Sequence, residues 1–422
     1  MERSEKIYGL LGRKLGHSWS VPIHKALGCD SYRLIELEPD ELGKFLAQEN
    51  IGGLNVTIPY KRDVMAFCDV IDEGAQSIGS VNTLVRKADG KLYGYNTDIY
   101  GFMYMAQRAG ISFDKKKVVV LGSGGASLTA QAAARREGAR EVVVVSRTGA
   151  DNYGNLERHD DAEVLVNTTP VGMWPDLNSQ PVDLKRLPGL EAVMDVIYNP
   201  SRTDLLLQAE KMGLRRAGGL SMLVNQAVVA EERFFDRSIP DSETERILEQ
   251  LQRDRVNLVL VGMPGSGKTT IGTELARMTG RPFIDLDDEI VRMTGKSIPE
   301  IFSRHGERAF RALERKALSE ACGKNGQIIA TGGGSVLRKD NRTVMRRTGR
   351  VYFLRRELDQ LADIGRPLSV KGTMKEMYHF RLPIYTEVSD ISVDNNTPPA
   401  QTAQKSWEDF CKNSGNDYLI RL

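Results

Sequence analysis

Cysteine is scarce in this chain. There are four in 422 residues, Cys29, Cys68, Cys322 and Cys411, with no Cys-x-x-Cys among them. Such scatter speaks against a disulfide framework or a cysteine-based zinc site and is read as four reduced thiols. An excess of one charge is missing too. The 58 basic residues are matched by 56 acidic ones, a net charge of +2, which gives no reason to expect nucleic acid or an anionic membrane surface as partner. Long apolar runs are also lacking. Residues 1–6 are charged and lead into only a short apolar stretch, so no signal peptide is read there, and no segment has the apolar length of a bilayer span. The expectation is a cytoplasmic protein with neither membrane nor nucleic-acid partners. What remains is the composition of a globular protein, 41% hydrophobic and 27% charged, in a chain too long for one ordinary core. Two or three domains are expected.

The sharpest local signal comes past the middle. The apolar run 256–261 leads into Gly262-Met263-Pro264-Gly265-Ser266-Gly267-Lys268-Thr269-Thr270, and a helical pattern follows. This is Gly-x-x-x-x-Gly-Lys-Thr in its strand–loop–helix setting, the phosphate-binding loop. Its backbone N–H groups can turn toward phosphate oxygens, Lys268 adds a point charge, and Thr269 can offer a hydroxyl to magnesium. The other reading is a plain glycine-rich turn. A loop that normally opens a domain arrives late here, so something complete must precede it.

In the first hundred residues, 7–12 reads as a buried strand, with Gly16-His17-Ser18-Trp19-Ser20 as the loop after it and a helix from Val21 to Leu27. Ser18 and Ser20 either bind a polyhydroxylated ligand or cap that helix. Alternation from Leu54 to Ile58 marks a strand that Pro59 stops, placing Lys61 on the first turn of a following helix, where a lysine is ordinarily solvated. Residues 80–86 and 91–95 form a hairpin around Asp89-Gly90. Beyond it, Asp98 either caps a helix or faces Lys61.

A dinucleotide pattern follows. The run 115–121, three lysines and then an apolar stretch, leads into Gly122-Ser123-Gly124-Gly125-Ala126, then come an Ala-rich helix closed by Gly138 and a second strand, 141–145. This is one βαβ unit with its glycines where a pyrophosphate meets a helix start. After the second strand, NAD sites usually carry an acidic residue. Ser146-Arg147-Thr148 instead suits a 2′-phosphate, so NADP is the better expectation. Two more strands, 163–166 and 192–198, end in Asn167-Thr168-Thr169-Pro170 and Asn199-Pro200, where a nicotinamide would lie, and Thr168, Val196 and Gly219 are expected to contact the cofactor. Gly219 opens a helix that returns to the first domain; its Gln226 either reaches the substrate cleft or is solvated.

Seven ordered blocks now carry a resemblance. They are Gly-His-Ser-x-Ser at 16–20, Asn-Val-Thr-Ile-Pro-x-Lys at 55–61, Val-Asn-Thr-Leu at 81–84, Asn-Thr-Asp at 96–98, the Gly-Ser-Gly-Gly-Ala turn, Asn167-Thr168-Thr169, and Met222-Leu223-Val224-x-Gln226-Ala227. Residues 1 to about 254 resemble a shikimate dehydrogenase. The resemblance implies that Lys61, paired with Asp98, transfers the proton in a reversible ketone reduction. It also implies that Ser18, Ser20, Asn55, Thr57, Asn82, Tyr198 and Gln226 line the substrate. The chemistry agrees, since hydride delivery to a carbonyl leaves an alkoxide that needs a proton.

Residues 240–253 have a charged helical pattern and read as the closing helix and tether. Beyond the phosphate loop, 283–286 reads as a strand with Asp285 and Asp287 on one side of it by period two. One carboxylate can reach magnesium through water and the other a substrate hydroxyl; the plainer reading is a solvated helix cap. Helical 306–314, strand 328–330 opening into Gly332-Gly333-Gly334, a polar stretch with Gly365-Arg366-Pro367-Leu368, and Arg381 in a last turn before strand 391–393 complete the segment. It resembles a shikimate kinase over its full length. That implies Thr269 and Asp285 at magnesium, Asp287, Arg311, Gly333 and Arg381 on shikimate, and Arg366 as a lid arginine over the phosphates of ATP.

The chain is therefore expected to be α/β throughout. A substrate domain (1–100, completed by helices in 220–254) and a Rossmann-like NADP domain (101–219) precede a P-loop kinase domain (255–422) with a parallel sheet like that of nucleoside monophosphate kinases. The expected activities are NADPH-dependent reduction of 3-dehydroshikimate to shikimate, then phosphorylation of shikimate by ATP and magnesium. Alternatives are a quinate-tolerant dehydrogenase fused to a small-molecule kinase, and a non-catalytic, nucleotide-responsive regulator.

Overall fold

The computed structural model describes residues 5–16, 18–174, 177, 179–361 and 373–413. Contacts divide the chain into two compact units, with the change between Leu248 and Glu249. That point falls inside the helix Asp241–Arg255, whose first half is held to the first unit by Glu245, which accepts from Tyr104 and from Arg108 Nε at 2.9 Å. Among the described residues no helix is long and apolar enough to cross a membrane.

The first unit contains two sheets. In the first, β1 (Ile7–Gly12), β2 (Arg33–Glu36), β3 (Ile51–Val56), β4 (Val70–Ile71), β5 (Thr83–Arg86) and β6 (Leu92–Tyr95) lie in the order β2-β1-β3-β5-β6-β4. β1 is parallel to both β2 and β3, whereas β3–β5 and β5–β6 are antiparallel, the latter being the hairpin read at Asp89-Gly90. Leu11, Ile51, Leu54 and Leu84 are fully buried beneath it. The helix Leu220–Phe235 returns to this sheet, its Phe234 ring so close that a Cβ on Gly53 would stand 2.2 Å from it.

The second sheet is parallel, with β7 (Lys117–Leu121), β8 (Glu141–Val145), β9 (Val164–Asn167), β10 (Ala192–Asp195) and β11 (Arg215–Gly218) in the order β11-β10-β9-β7-β8. Helices cover both of its faces, so central strands are continuously apolar. Val118, Val119, Val120 and Leu121 have no exposed surface, each such burial contributing about 1.5–3 kcal/mol. β10 stops at Asp195, three residues short of the strand expected to 198, because the Ile197 N–H turns to the Asp195 side chain at 3.1 Å instead of continuing a ladder.

The second unit has one parallel sheet, β12 (Asn257–Val261), β13 (Phe283–Asp285), β14 (Ile328–Ala330), β15 (Gly349–Arg355) and β16 (Ile391–Asp394), ordered β13-β14-β12-β15-β16. β12 lies at its centre and delivers the phosphate loop. Three sequence expectations need correction. Asp287 is not on the strand with Asp285. It lies in the first turn of the helix Leu286–Thr294, whose N-cap Asp285 accepts from the Asp287 N–H, and this cap ends the strand one residue early. Arg381 lies within the helix Thr373–Val388 rather than in a turn, with Pro383 accommodated inside that helix. Lys61 precedes a 3₁₀ helix, Asp63–Phe67, instead of opening an α-helix.

Candidate active sites

Two charges distant in sequence meet in the first unit. Lys61 lies in the turn after β3 and Asp98 opens the helix Asp98–Arg108. Lys61 Nζ stands 2.5 Å from Asp98 Oδ2, with the side chains 20% and 13% exposed, so the lysine is not a solvated surface residue. Of the two readings of Asp98, the structure supports the pairing with Lys61 and not the cap. It occupies the first helical position, where the macrodipole favours a carboxylate, and it faces Lys61. The N-cap is Thr97.

Around this pair runs a buried amide–hydroxyl cluster. Asn82 Oδ1 accepts from the Thr97 N–H at 2.6 Å and from Thr83 Oγ1 at 3.0 Å, and Asn82 Nδ2 donates to Thr97 Oγ1 at 3.1 Å. Asn55 Nδ2 donates to Thr83 Oγ1 at 3.3 Å. Asn55 and Asn82 thus belong to one network, adjoining Asp98 through Thr97. Ser18 and Ser20 bond to each other at 3.1 Å, and Ser18 Oγ accepts from the Ser20 N–H, outside the helix Ser20–Ala26, whose N-cap position is Trp19. The Trp19 ring lies 5.1 Å from that of Tyr198, whose phenol is pushed up by burial. Thr57 continues from β3, its N–H bonded to Leu11 O at 2.9 Å. Gln226 is buried, not solvated, and backs onto Gly101 of the Asp98 helix, where a Cβ would lie 3.0 Å from its own.

The dinucleotide turn faces the same lysine. β7 ends at Leu121, Gly122-Ser123-Gly124 turns the chain, and the helix Gly125–Arg136 begins at Gly125-Ala126 with no side-chain cap. A Cβ on Gly124 would meet nothing within 4 Å, whereas one on Gly125 would lie 3.8 Å from Lys61 Cδ. Uncapped N–H groups beneath open space suit a pyrophosphate. After β8, Ser146 is half-buried while Arg147 and Thr148 are exposed, and Arg147 makes no ion pair among the described residues. Thr168 Oγ1 donates to Leu121 O at 2.6 Å, tying the end of β9 to the glycine turn. A Cβ on Gly219 would stand 2.0 Å from Val196 O, so the helix can begin this close to the end of β10 only without a side chain there. These residues fit a phosphorylated dinucleotide. Beneath them Asp195 is fully buried, and burial pushes its carboxyl up to about 7 against hydrogen bonds from Thr203, the Ile197 N–H and Asn167.

In the second unit the phosphate loop is assembled as its sequence requires. Gly265 and Gly267 take φ of +79° and +87°, a left-handed backbone suited to glycine. Ser266 is buried with its Oγ unpartnered, and Lys268 Nζ, folded over the loop, donates to Gly262 O at 3.0 Å and Met263 O at 2.8 Å. Thr269 Oγ1 donates to Asp285 Oδ2 at 2.6 Å, and Thr270 follows on the exposed face of the first turn. A threonine hydroxyl and a carboxylate side by side are hard oxygen donors. With no cluster of three potential ligands among the described residues, they suit a magnesium ion that keeps its waters and phosphate oxygens.

The proposed substrate residues converge next to that loop. A Cβ on Gly332 would lie 3.4 Å from Asp287 Oδ1, one on Gly333 2.7 Å from Pro264 Cδ, and one on Gly334 2.4 Å from Arg311 Nη2. Arg381 Nη1 donates to Gly333 O at 3.1 Å. The triple glycine therefore brings Asp287, Arg311 and Arg381 around one stretch of backbone. Arg366 lies outside the described residues.

Several supporting residues escape the sequence reading. Buried Glu314 accepts from Arg311 at 3.0 Å and from Ser335 at 2.7 Å; its place three residues after Arg311 on one helix is the signal that could have revealed it. Asn395 Nδ2 donates to Ser266 O at 2.6 Å and steadies the loop from the end of β16, a contact across 129 residues that leaves no local trace. Thr83 and Thr97 stand inside motifs but carry no chemistry that marks them in isolation. The cysteines are unpaired, and burial pushes Cys68 up to about 11 and Cys322 up to about 12.

A lysine–carboxylate pair beside a dinucleotide turn defines an oxidoreductase, and a phosphate loop with an acidic strand end defines a P-loop phosphotransferase. The comparisons agree and narrow both. Residues 10–84 match the shikimate dehydrogenase substrate binding domain, and residues 264–411 match shikimate kinase. A relative named shikimate dehydrogenase (NADP(+)), from Clostridium perfringens, is 38% identical over 268 residues, spanning 58% of this chain and 98% of its own. Among solved structures, a chorismate mutase/shikimate 5-dehydrogenase fusion protein from Clostridium acetobutylicum is 35% identical with a TM-score of 0.57, covering 59% of this chain and 97% of its own. A shikimate 5-dehydrogenase from Thermus thermophilus, in complex with NADP(H) and shikimate, is 31% identical with a TM-score of 0.51, covering 57% and 97%. The chain belongs to the shikimate dehydrogenase family and carries a shikimate kinase domain after it, two shikimate-pathway activities on one polypeptide.

Proposed function

We propose that the first unit reduces 3-dehydroshikimate to shikimate with NADPH and that the second phosphorylates shikimate with ATP and magnesium, in the cytoplasm. We assign the substrate portion to residues 1–100 with helices of 220–254, the dinucleotide portion to 101–219 and the kinase to 255–422. The observation that carries the reading is the 2.5 Å contact between Lys61 and Asp98 at the edge of the dinucleotide turn.

In the reduction, bound NADPH supplies the hydride. Lys61 Nζ delivers the proton that the new alkoxide requires, while Asp98 pairs with the ammonium and aims it. Ser18, Ser20, Asn55, Thr57, Asn82, Tyr198 and Gln226 hold the carboxylate and hydroxyls of the ring. The Gly122–Ala126 turn, Thr168, Val196 and Gly219 seat the dinucleotide, and Ser146, Arg147 and Thr148 take its 2′-phosphate.

In the phosphorylation, Thr269 and Asp285 would hold the magnesium ion, which would supply positive charge against the phosphates. Asp287 accepts the proton of the attacking hydroxyl, and Arg311 and Arg381 grip the substrate carboxylate near Gly333. Residues 265–270 cradle the phosphates of ATP, with Lys268 and Arg366 bearing on the charge that moves during transfer.

A coupled assay tests the whole reading. Given 3-dehydroshikimate, NADPH and magnesium–ATP, the purified chain should yield shikimate 3-phosphate. Formation of shikimate without its phosphate would refute the second half, and no oxidation of NADPH would refute the first. Replacing shikimate by quinate, which carries one more hydroxyl, in the reverse oxidation tests the choice of substrate.

A further inference from the structure

Behind Asn55 lies a line of buried polar groups that the proposed reduction does not use. The Tyr32 phenol, on a residue only 3% exposed, donates to Asn55 Oδ1 at 2.8 Å. The His24 imidazole lies flat against the Tyr32 ring, with centroids 3.7 Å apart and planes inclined by 7°. His24 Nδ1 meets Glu231 Oε1 at 2.6 Å with both side chains wholly buried, and Glu231 Oε2 accepts from Arg237 Nη2 at 3.3 Å. Burial holds the imidazole below its ordinary value, against the pull of Glu231 and a lesser one from Asn55. The line ties together the helix Ser20–Ala26, β3 and the helix Leu220–Phe235, three elements that carry proposed substrate residues.

A side-chain amide has an accepting end and a donating end, and the end left for a ligand decides which ligand atom is tolerated. Here both amides of the cluster are fixed the same way. Thr97 N–H and Thr83 Oγ1 occupy Asn82 Oδ1. Tyr32 occupies Asn55 Oδ1, while Asn55 Nδ2 spends one N–H on Thr83 Oγ1 and keeps the other. We infer that Tyr32, braced by the His24–Glu231 pair, is a positioning residue that locks the Asn55 amide as a hydrogen-bond donor, so that this subsite selects an oxygen lone pair on the substrate. The inference rests on the reading of Asn55 as a substrate residue.

Tyr32→Phe keeps the ring and removes only the O–H. In the full chain, steady-state reduction should show KM for 3-dehydroshikimate raised roughly three- to tenfold, the reach of one lost hydrogen bond, with kcat, KM for NADPH and kinase activity unchanged. An unchanged KM in a folded protein overturns the inference. Asn55→Ala and the double variant decide between positioning and general loosening. If Tyr32 acts through Asn55, its substitution adds nothing in the Asn55→Ala background; an equal further rise there also overturns the inference. If Asn55→Ala alone leaves KM unchanged, the substrate role of Asn55 is what fails, and the inference falls with it for that distinct reason. Should Tyr32→Phe not fold, Glu231→Gln, which keeps a partner for His24 without the charge, should raise the same KM in the same direction; no rise would again overturn the inference.

Discussion

The two proposed catalytic centres of this chain differ in how much of each is contiguous in sequence. The phosphate loop is one contiguous stretch, 262–270, whose strand, turn, lysine and threonine follow one another in sequence, with Asp285 and Asn395 bracing it from farther away. The dehydrogenase centre is assembled from afar. Lys61 and Asp98 are 37 residues apart, and the amides near them are held by Tyr32, Thr83 and Thr97. The charges differ as well. Lys61 is held by the carboxylate of Asp98, Lys268 Nζ also bonds the loop carbonyls of Gly262 and Met263, and Arg147 makes no ion pair among the described residues. A centre that moves a proton needs a poised acid with its counter-charge in place. A centre that receives phosphates needs positive charge set where they will lie.

The contrast can be broken most strongly at the two lysines. Lys61→Ala should lower dehydrogenase turnover by at least about 10²–10⁴-fold, the worth of a positioned general acid, and leave phosphorylation of shikimate unchanged. Separate spectrophotometric assays on the purified variant check this, and loss of both activities with the fold intact would contradict independent centres. A somewhat smaller effect is expected at the metal. Thr269→Val and Asp285→Asn each remove an oxygen donor, and kinase turnover should fall roughly 10²-fold with the magnesium needed for half-activity rising. A magnesium titration that superimposes on the wild type would exclude those residues as its ligands.

That same difference explains what could be read from the sequence. The loop Gly262–Thr270 is legible because its backbone geometry is local, and β7, β12 and the hairpin at Asp89-Gly90 are legible because period and turn chemistry agree. Lys61 in isolation reads as solvated, and only the ordered blocks around it gave it a role. Period two does not extend to Asp287, because Asp285 caps a helix and ends the strand. β2 and β11 go unread, being four-residue edge strands with charged residues in Arg33–Glu36 and Arg215–Gly218, where pairing with a neighbour outweighs propensity. Tyr32, Glu231 and Asn395 have partners 23, 207 and 129 residues away, and no window of sequence contains such a pair.

A more modest test concerns the exposed guanidinium of Arg147. If it takes the 2′-phosphate, Arg147→Ala should reduce kcat/KM for NADPH about tenfold, consistent with one charge-assisted hydrogen bond, and leave kcat/KM for NADH where it was. Equal losses with both cofactors would remove Arg147 from cofactor discrimination. Such an outcome would also weaken the contrast, because positive charge set out for phosphate would then belong to the kinase alone.

A last expected effect, on stability and not on turnover, separates the units by pH. Each buries a carboxylate under its site, but Glu314 is met by Arg311, while among the described residues Asp195 is held by neutral donors, Thr203, Asn167 and the Ile197 N–H, and its carboxyl is pushed up to about 7. In the unfolded chain it would titrate near its ordinary value of 3.8. Between those values the folded state holds a proton that the unfolded state has released, so raising the pH favours unfolding. The contribution is complete below the unfolded value and is lost as pH rises through about 7, with about 1.4 kcal/mol at stake per unit of displacement. Asp195→Asn keeps a neutral group able to meet Thr203 and abolishes the titration. Thermal unfolding of the transition that NADP stabilises should therefore fall by several degrees more in the wild type than in the variant between pH 5 and pH 8. The transition stabilised by ATP should move equally in both proteins. Parallel behaviour of the first transition would mean that Asp195 is ionised in the fold, and the two buried carboxylates would then not differ in the way their partners require.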